Sequence, residues 1–201
     1  MDKNPSIQVE FVGLVDADLL DNGTRHPNLT LMKIAGFLHD NNIDFELIID
    51  ENADISKYTR IYMSRVFSFT KEPNFYINAS EEDRVKFLIG GTGYYANESK
   101  VSAYRVKREE DLSLLDNDKF LRTLQNCQGE HKVFGIDMAR QKPYYHLYDA
   151  YVENQVKRGL KSDKYKDYQM YSIGFLTRGC VRHCPFCVNK LENRVYRYSK
   201  L

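Results

Sequence analysis

Residues 7–50 constrain the fold of this chain more than any other stretch. IQVEFVGLVDA, residues 7–17, is an apolar, β-branched run of strand length. Its apolar pattern ends at Asp16, where polar residues and Gly23 begin a loop. Pro27 and Asn28 then precede LTLMKIAGFLHDNN, residues 29–42, in which Leu29, Leu31, Met32, Ile34, Ala35 and Leu38 fall on one broad helical face. DFELIID, residues 44–50, is a second strand. Strand, helix and strand with short links read as a βαβ unit, which places the two strands parallel with a right-handed crossover as the default. TRIYMSRVFSF, residues 59–69, contains a third strand, and VKFLIGGTGYY, residues 85–95, a fourth that runs into glycines. The expected class is therefore α/β, a Rossmann-like parallel sheet within residues 1–100. No G-x-G-x-x-G follows the first strand, so the dinucleotide fingerprint is absent.

Residues 101–167 read as a linking, partly helical region. DKFLRTLQNC, residues 118–127, has helical character, and HKVFGID, residues 131–137, has that of a further strand. YYHLYDAYVENQVKRGLKSDKY, residues 144–165, suggests a helix with many polar positions. YQMYSIGFLTRGC, residues 168–180, returns to strand character and stops at Gly179. The glycines of GGTG, residues 90–93, are either a plain turn or a place where backbone approaches a phosphate or a corrin; Gly90, Gly91 and Gly93 are the candidates.

The net charge is +1, which gives no global pull toward nucleic acid or a membrane. The charge is uneven, however. Residues 16–54 hold nine Asp or Glu against Arg25 and Lys33, and residues 178–201 hold six Lys or Arg against Glu192 alone. The basic tail is either a solvated face or a contact for an acidic protein surface, a nucleic acid or a ribonucleoprotein. VYRYSKL, at its end, interleaves aromatic and basic residues in a way that suits single strands. No apolar run approaches the ~18 residues of a membrane span. The N-terminus lacks a signal-peptide core, and the cysteines suit a reducing cytoplasm. No Ser/His/Asp order, phosphate loop or H-E-x-x-H string supports a hydrolase reading.

RGCVRHCPFC, residues 178–187, holds Cys180, Cys184 and Cys187, three of the four cysteines, in the spacing C-x3-C-x2-C. Thiolates are soft ligands for zinc or for iron–sulfur clusters. Three of them hold three irons of a [4Fe–4S] cube and leave the fourth open to a chelating substrate. Arg178, Arg182 and Lys190 favour thiolate over thiol. Zinc is the alternative metal and asks for a fourth ligand from Cys127, His183 or His131. Without metal, the three thiols are inert, and Cys127 reads as a small buried apolar residue.

GFLTRGCVRHCPFCVNK resembles the cluster loop of the radical S-adenosylmethionine superfamily, C-x3-C-x-aromatic-C after the first strand of a β/α barrel. The resemblance implies that Cys180, Cys184 and Cys187 hold a [4Fe–4S] cluster. It places the amino and carboxylate groups of S-adenosylmethionine on the open iron and Phe186 beside the adenine. It makes residues 168–201 the opening of such a barrel. RHPNLTLMKIAGF, YMSRVFSFT and LIGGTGYY are similar to segments of an uncharacterised bacterial and phage group that begins with a cobalamin-binding-type domain. The cobalt-ligating string D-x-H-x-x-G does not occur, so cobalamin with a histidine ligand is not expected, and His26 and His39 read as surface or packing residues.

A full barrel needs about 200 residues or more, and a short helix is all that fits after Cys187. The expected function is thus a radical-SAM-like iron–sulfur protein, a fragment or split subunit that is inactive alone. A protein partner or self-association would cover its open barrel edge. Two alternatives stand beside it. One is a non-enzymatic protein-binding or inhibitory protein, phage-encoded, derived from a truncated radical-SAM gene. The other is a metal-free Rossmann ligand-binding module. The spacing names no substrate.

Overall fold

The structure is a computed structural model and describes residues 10–24, 26–94, 132–134, 136–138, 140–179, 182 and 195–197. Strands β1 (Phe11–Asp16), β2 (Asp44–Leu47), β3 (Arg60–Ser64) and β4 (Phe87–Gly90) form a parallel sheet in the order β2-β1-β3-β4. The chain steps to one side of β1 for β2, then crosses to its other side for β3 and β4. The order therefore reverses between β1 and β3, whose registers pair Leu14 with Tyr62 and Asp16 with Ser64. Side chains alternate between the two faces. Val12, Leu14, Tyr62 and Leu88 enter one core, and Val15, Ile61, Met63 and Phe87 the other.

Helix α2 (Leu29–Asp40) covers the first face, as its periodicity predicts, but it is buried almost all round from Leu31 to Gly36. The reason lies far along the chain. Strands β5 (Lys132–Val133) and β6 (Ile136–Asp137) form a tight antiparallel hairpin with Phe134 at positive φ (51°) beside the turn. The segment after it crosses the outer side of α2. Tyr144 N donates to Met32 O at 2.8 Å, and the buried Lys33 Nζ donates to Met138 O. Helix α5 (Asp149–Lys157), a 3₁₀ turn at Ser162–Tyr165 and α6 (Lys166–Gln169) complete this layer. Phe134, Ile136, Met138, Leu147, Tyr148 and Tyr168 all join the core of the first face. Much of the region read as a linker thus packs with the N-terminal sheet.

Among the described residues, no long helix covers the second face. A loop over residues 48–59 joins β2 to β3, and the short helices α3 (Asn74–Ile77) and α4 (Glu81–Arg84) lie between β3 and β4. Ile48, Ile55, Tyr58, Phe75 and Tyr94 seal this side. Helix α1 (Ala17–Asn22) follows β1 directly, with Asp16 as its N-cap through Leu19 N and Gly23 closing it at φ 65°.

The four sheet strands and α2 lie within the stretches expected for them. Strand character over residues 168–180 is corrected. The structure gives α6 at its start and β7 (Thr177–Gly179) at its end. Met170, Tyr171, Phe175 and Leu176 between them are exposed rather than paired in a sheet. The helix expected over 144–165 narrows to α5 and the 3₁₀ turn. The helix expected over 118–127 lies outside the described residues. β7 pairs antiparallel with β8 (Val195–Arg197), Gly179 opposite Val195, so the cysteine-bearing stretch connects two antiparallel strands.

Gly36 marks where the crossing segment meets α2. A Cβ there would lie 2.1 Å from the Lys142 carbonyl oxygen. Glycine to alanine inside a helix ordinarily stabilises by about 1 kcal/mol. Gly36→Ala is expected to reverse that sign and destabilise by ~1–3 kcal/mol in urea unfolding, because backbone must move to admit the methyl group.

Candidate functional site

Ligands of open α/β sheets bind beyond the carboxyl ends of the strands where strand order reverses. Here that point lies between the ends of β1 and β3, and its residues are Asp16 and Ser64. Both side chains are buried on the side of α2. Asn28, the N-cap of α2, stands between them. Its Oδ1 accepts from Thr30 N at 3.1 Å and Leu31 N at 3.3 Å, while its Nδ2 donates to Ser64 Oγ at 2.8 Å. Tyr148, fully buried just before α5, donates its hydroxyl to Asp16 Oδ2 at 2.8 Å and accepts from Asn28 N at 3.0 Å. Tyr168 Oη donates to Thr24 O at 2.6 Å, and its ring lies 5.0 Å from that of Tyr148. The crevice is therefore filled by the protein's own side chains.

Burial pushes the Asp16 carboxyl up to about 6, against the hydrogen bonds from Tyr148 and Leu19, with the nearby Asp18 adding to the rise. Burial and the Asp16 charge raise the Tyr148 hydroxyl well above its usual range. A buried carboxyl poised near neutrality at a switch point has the electrostatics of a functional group. Its 2% exposure denies it a reactant in this conformation. It serves as a hydrogen-bond acceptor that ties the later segment to the sheet.

Beside it, Asp18 holds the loop after β3, accepting from Val66 N at 2.7 Å, Phe67 N at 3.2 Å and the Thr70 hydroxyl. Arg65 donates to Thr70 O at 3.3 Å and Gly93 O at 3.2 Å, with its guanidinium 4.1 Å from the Tyr94 ring centre. This arrangement gives two of the candidate glycines a packing role. Gly91, at φ 106°, would put a Cβ 2.2 Å from Arg65 O, and Gly93 one 2.6 Å from Phe67 O. Gly90 faces open space. His26 pairs with Asp167, and His39 lies 3.5 Å from Asp40 with its ring tilted against that of Tyr144, centres 5.1 Å apart. Both are exposed surface residues.

Cys180, Cys184, Cys187 and Phe186 lie outside the described residues, as do Cys127, His131, His183 and Lys190. Among the described residues no three His, Cys, Asp or Glu side chains are grouped to hold a metal. The described residues frame the cysteines, β7 ending one residue before Cys180 and β8 beginning after Arg194. Asp16, Asn28, Ser64 and Tyr148 were not singled out as site residues from sequence. The rule that strand ends carry function points to Asp16, but no local pattern points to Tyr148.

Asp16 has a signed consequence for stability. Its pKa is higher in the folded state than the 3.8 of an ordinary aspartate, so folding is favoured at low pH and loses that contribution as pH rises from about 4 through about 6. Asp16→Asn removes the charge and keeps one acceptor where Asp16 serves both Leu19 N and Tyr148. The lost bond shifts its stability by an amount independent of pH, and relative to wild type its stability is expected to rise by ~1–3 kcal/mol from about pH 4 to about pH 8, in urea titrations at several pH values. Comparison with protein-family models, curated proteins and solved structures gives no match.

Proposed function

We propose that this chain is a radical-SAM-like iron–sulfur protein in which Cys180, Cys184 and Cys187 hold a [4Fe–4S] cluster. The observation that carries the reading is C-x3-C-x2-C with Phe186 before its last cysteine, starting one residue after strand β7. The first cysteine directly follows a strand in sequence, and spacings this short would let all three thiolates reach one metal centre. Arg178 and Arg182 in the same stretch favour the thiolate forms that such a centre needs. Phe186 offers a ring face for the adenine of S-adenosylmethionine. When bound, the cluster and S-adenosylmethionine would supply reductive sulfonium cleavage to a 5′-deoxyadenosyl radical.

In this reading the Rossmann-like sheet is a scaffold, since Asn28 and Tyr148 occupy its switch point. A site for radical chemistry must exclude water. Met170, Leu176 and Val195, all more than half exposed around β7, support cover by another protein surface.

The antiparallel β7–β8 pair favours one second reading. A metal in the connection between two antiparallel strands can serve as a structural staple, and zinc with a fourth ligand from Cys127, His131 or His183 would fill that role. It would stand in a non-enzymatic binding protein.

Metal analysis separates the two. Protein purified without oxygen and reconstituted with iron and sulfide is expected to bind about four irons per chain with a brown chromophore, and Cys184→Ala to lose them. One tightly held zinc with no iron uptake would favour the staple. Absence of both metals would overturn either reading.

A further inference from the structure

Among the described residues β2 is an edge of the sheet, and its outer side forms the floor of a groove of about 1020 Å³. That volume is at the top of the ~300–1,000 Å³ range of small-molecule sites, which suits an elongated occupant. The groove has a wall on each side of the sheet plane. Leu147, Ala150 and Tyr151 stand on the α2 side, and Ala53, Lys57 and Tyr58 on the other. It therefore lies where one more strand would extend the sheet, about 4.8 Å beyond β2. Ile48 N donates inward to Leu14 O at 2.8 Å. Backbone groups alternate along a strand, so those of Phe45, Leu47 and Ile49 point outward into the groove.

The chemistry of the walls selects the occupant. Asp44, Glu46, Asp50 and Asp54 line the groove against Lys57, which is itself paired with Glu46 at 2.6 Å. His39 and His146 also line it, and each has its own carboxylate neighbour, Asp40 at 3.5 Å and Asp149 at 2.8 Å. Phe45 and Leu47, half-buried, offer apolar contact beside this acidic rim.

We propose that the β2 edge binds an extended segment of a partner protein in which basic and apolar residues alternate, added as a fifth strand. The outward groups of Phe45, Leu47 and Ile49 hydrogen-bond its backbone, and the carboxylates of Asp44, Asp50 and Asp54 meet its lysines or arginines, Glu46 being held by Lys57 and Tyr58. The proposal is independent of the metal reading.

The test uses the full chain and two short synthetic peptides, one alternating lysine with valine and the other glutamate with valine. The lysine–valine peptide is expected to bind, and added salt to weaken it. The amides of Phe45, Leu47 and Ile49 are expected to exchange quickly in the free protein and slowly in the complex. Asp44→Asn/Asp50→Asn/Asp54→Asn removes three charges, while asparagine can still accept from Asn52 N and Ser56 N in the turns. This variant is expected to keep the wild-type thermal transition and bind about tenfold more weakly. No binding of the lysine–valine peptide, or equal binding of both peptides, would overturn the proposal. So would slow exchange at these three amides in the free monomer, which would mean that the chain covers its own edge. Slow exchange only in a concentration-dependent dimer would assign the edge to a second copy and overturn it as well.

Discussion

The hydrogen bonds around Asn28 join parts of this protein that are distant in sequence. Asn28 caps α2 with its carbonyl oxygen, reaches β3 with its amide nitrogen and meets Tyr148 with its backbone N–H. Tyr148 passes the connection on to Asp16 at the end of β1. Two strands, a helix start and the segment before α5 thus share one partly buried polar chain. Leaving any member without a partner exposes its neighbour to a desolvation cost of ~1–3 kcal/mol, so the groups hold one another in place.

The location of this chain has a functional consequence. A β2-β1-β3-β4 sheet presents its natural ligand crevice between β1 and β3, and here tyrosine and asparagine occupy it. The surrounding rings of Tyr148, Tyr151, Tyr165 and Tyr168 lie 5.0–6.1 Å apart and close the space further. Among the described residues, the β2 edge and the exposed apolar side chains near β7 lie away from that crevice.

Strand positions were legible because each core strand is a short apolar run bounded by turn residues, and α2 because Leu31, Ile34 and Leu38 keep a helical period. The stretch 168–176 was misread because tyrosine, isoleucine and phenylalanine raise β-propensity without guaranteeing a partner strand. The cysteine motif is visible in sequence because its three residues lie close along the chain. The polar centre is not, because Tyr148 and Asp16 are 132 positions apart. No spacing rule links them, and only the folded sheet brings them together. Gly36 shows the same limit. Its helical context is evident from sequence, but the Lys142 carbonyl that forbids a side chain there is not.

Native-state hydrogen exchange on wild-type and Tyr148→Phe protein tests this coupling most directly. Removing the hydroxyl takes a donor from Asp16 and an acceptor from Asn28 N. Coupling through the shared chain predicts that protection falls together in α5 and in the first turns of α2. Loss confined to α5, with α2 unchanged, would contradict it.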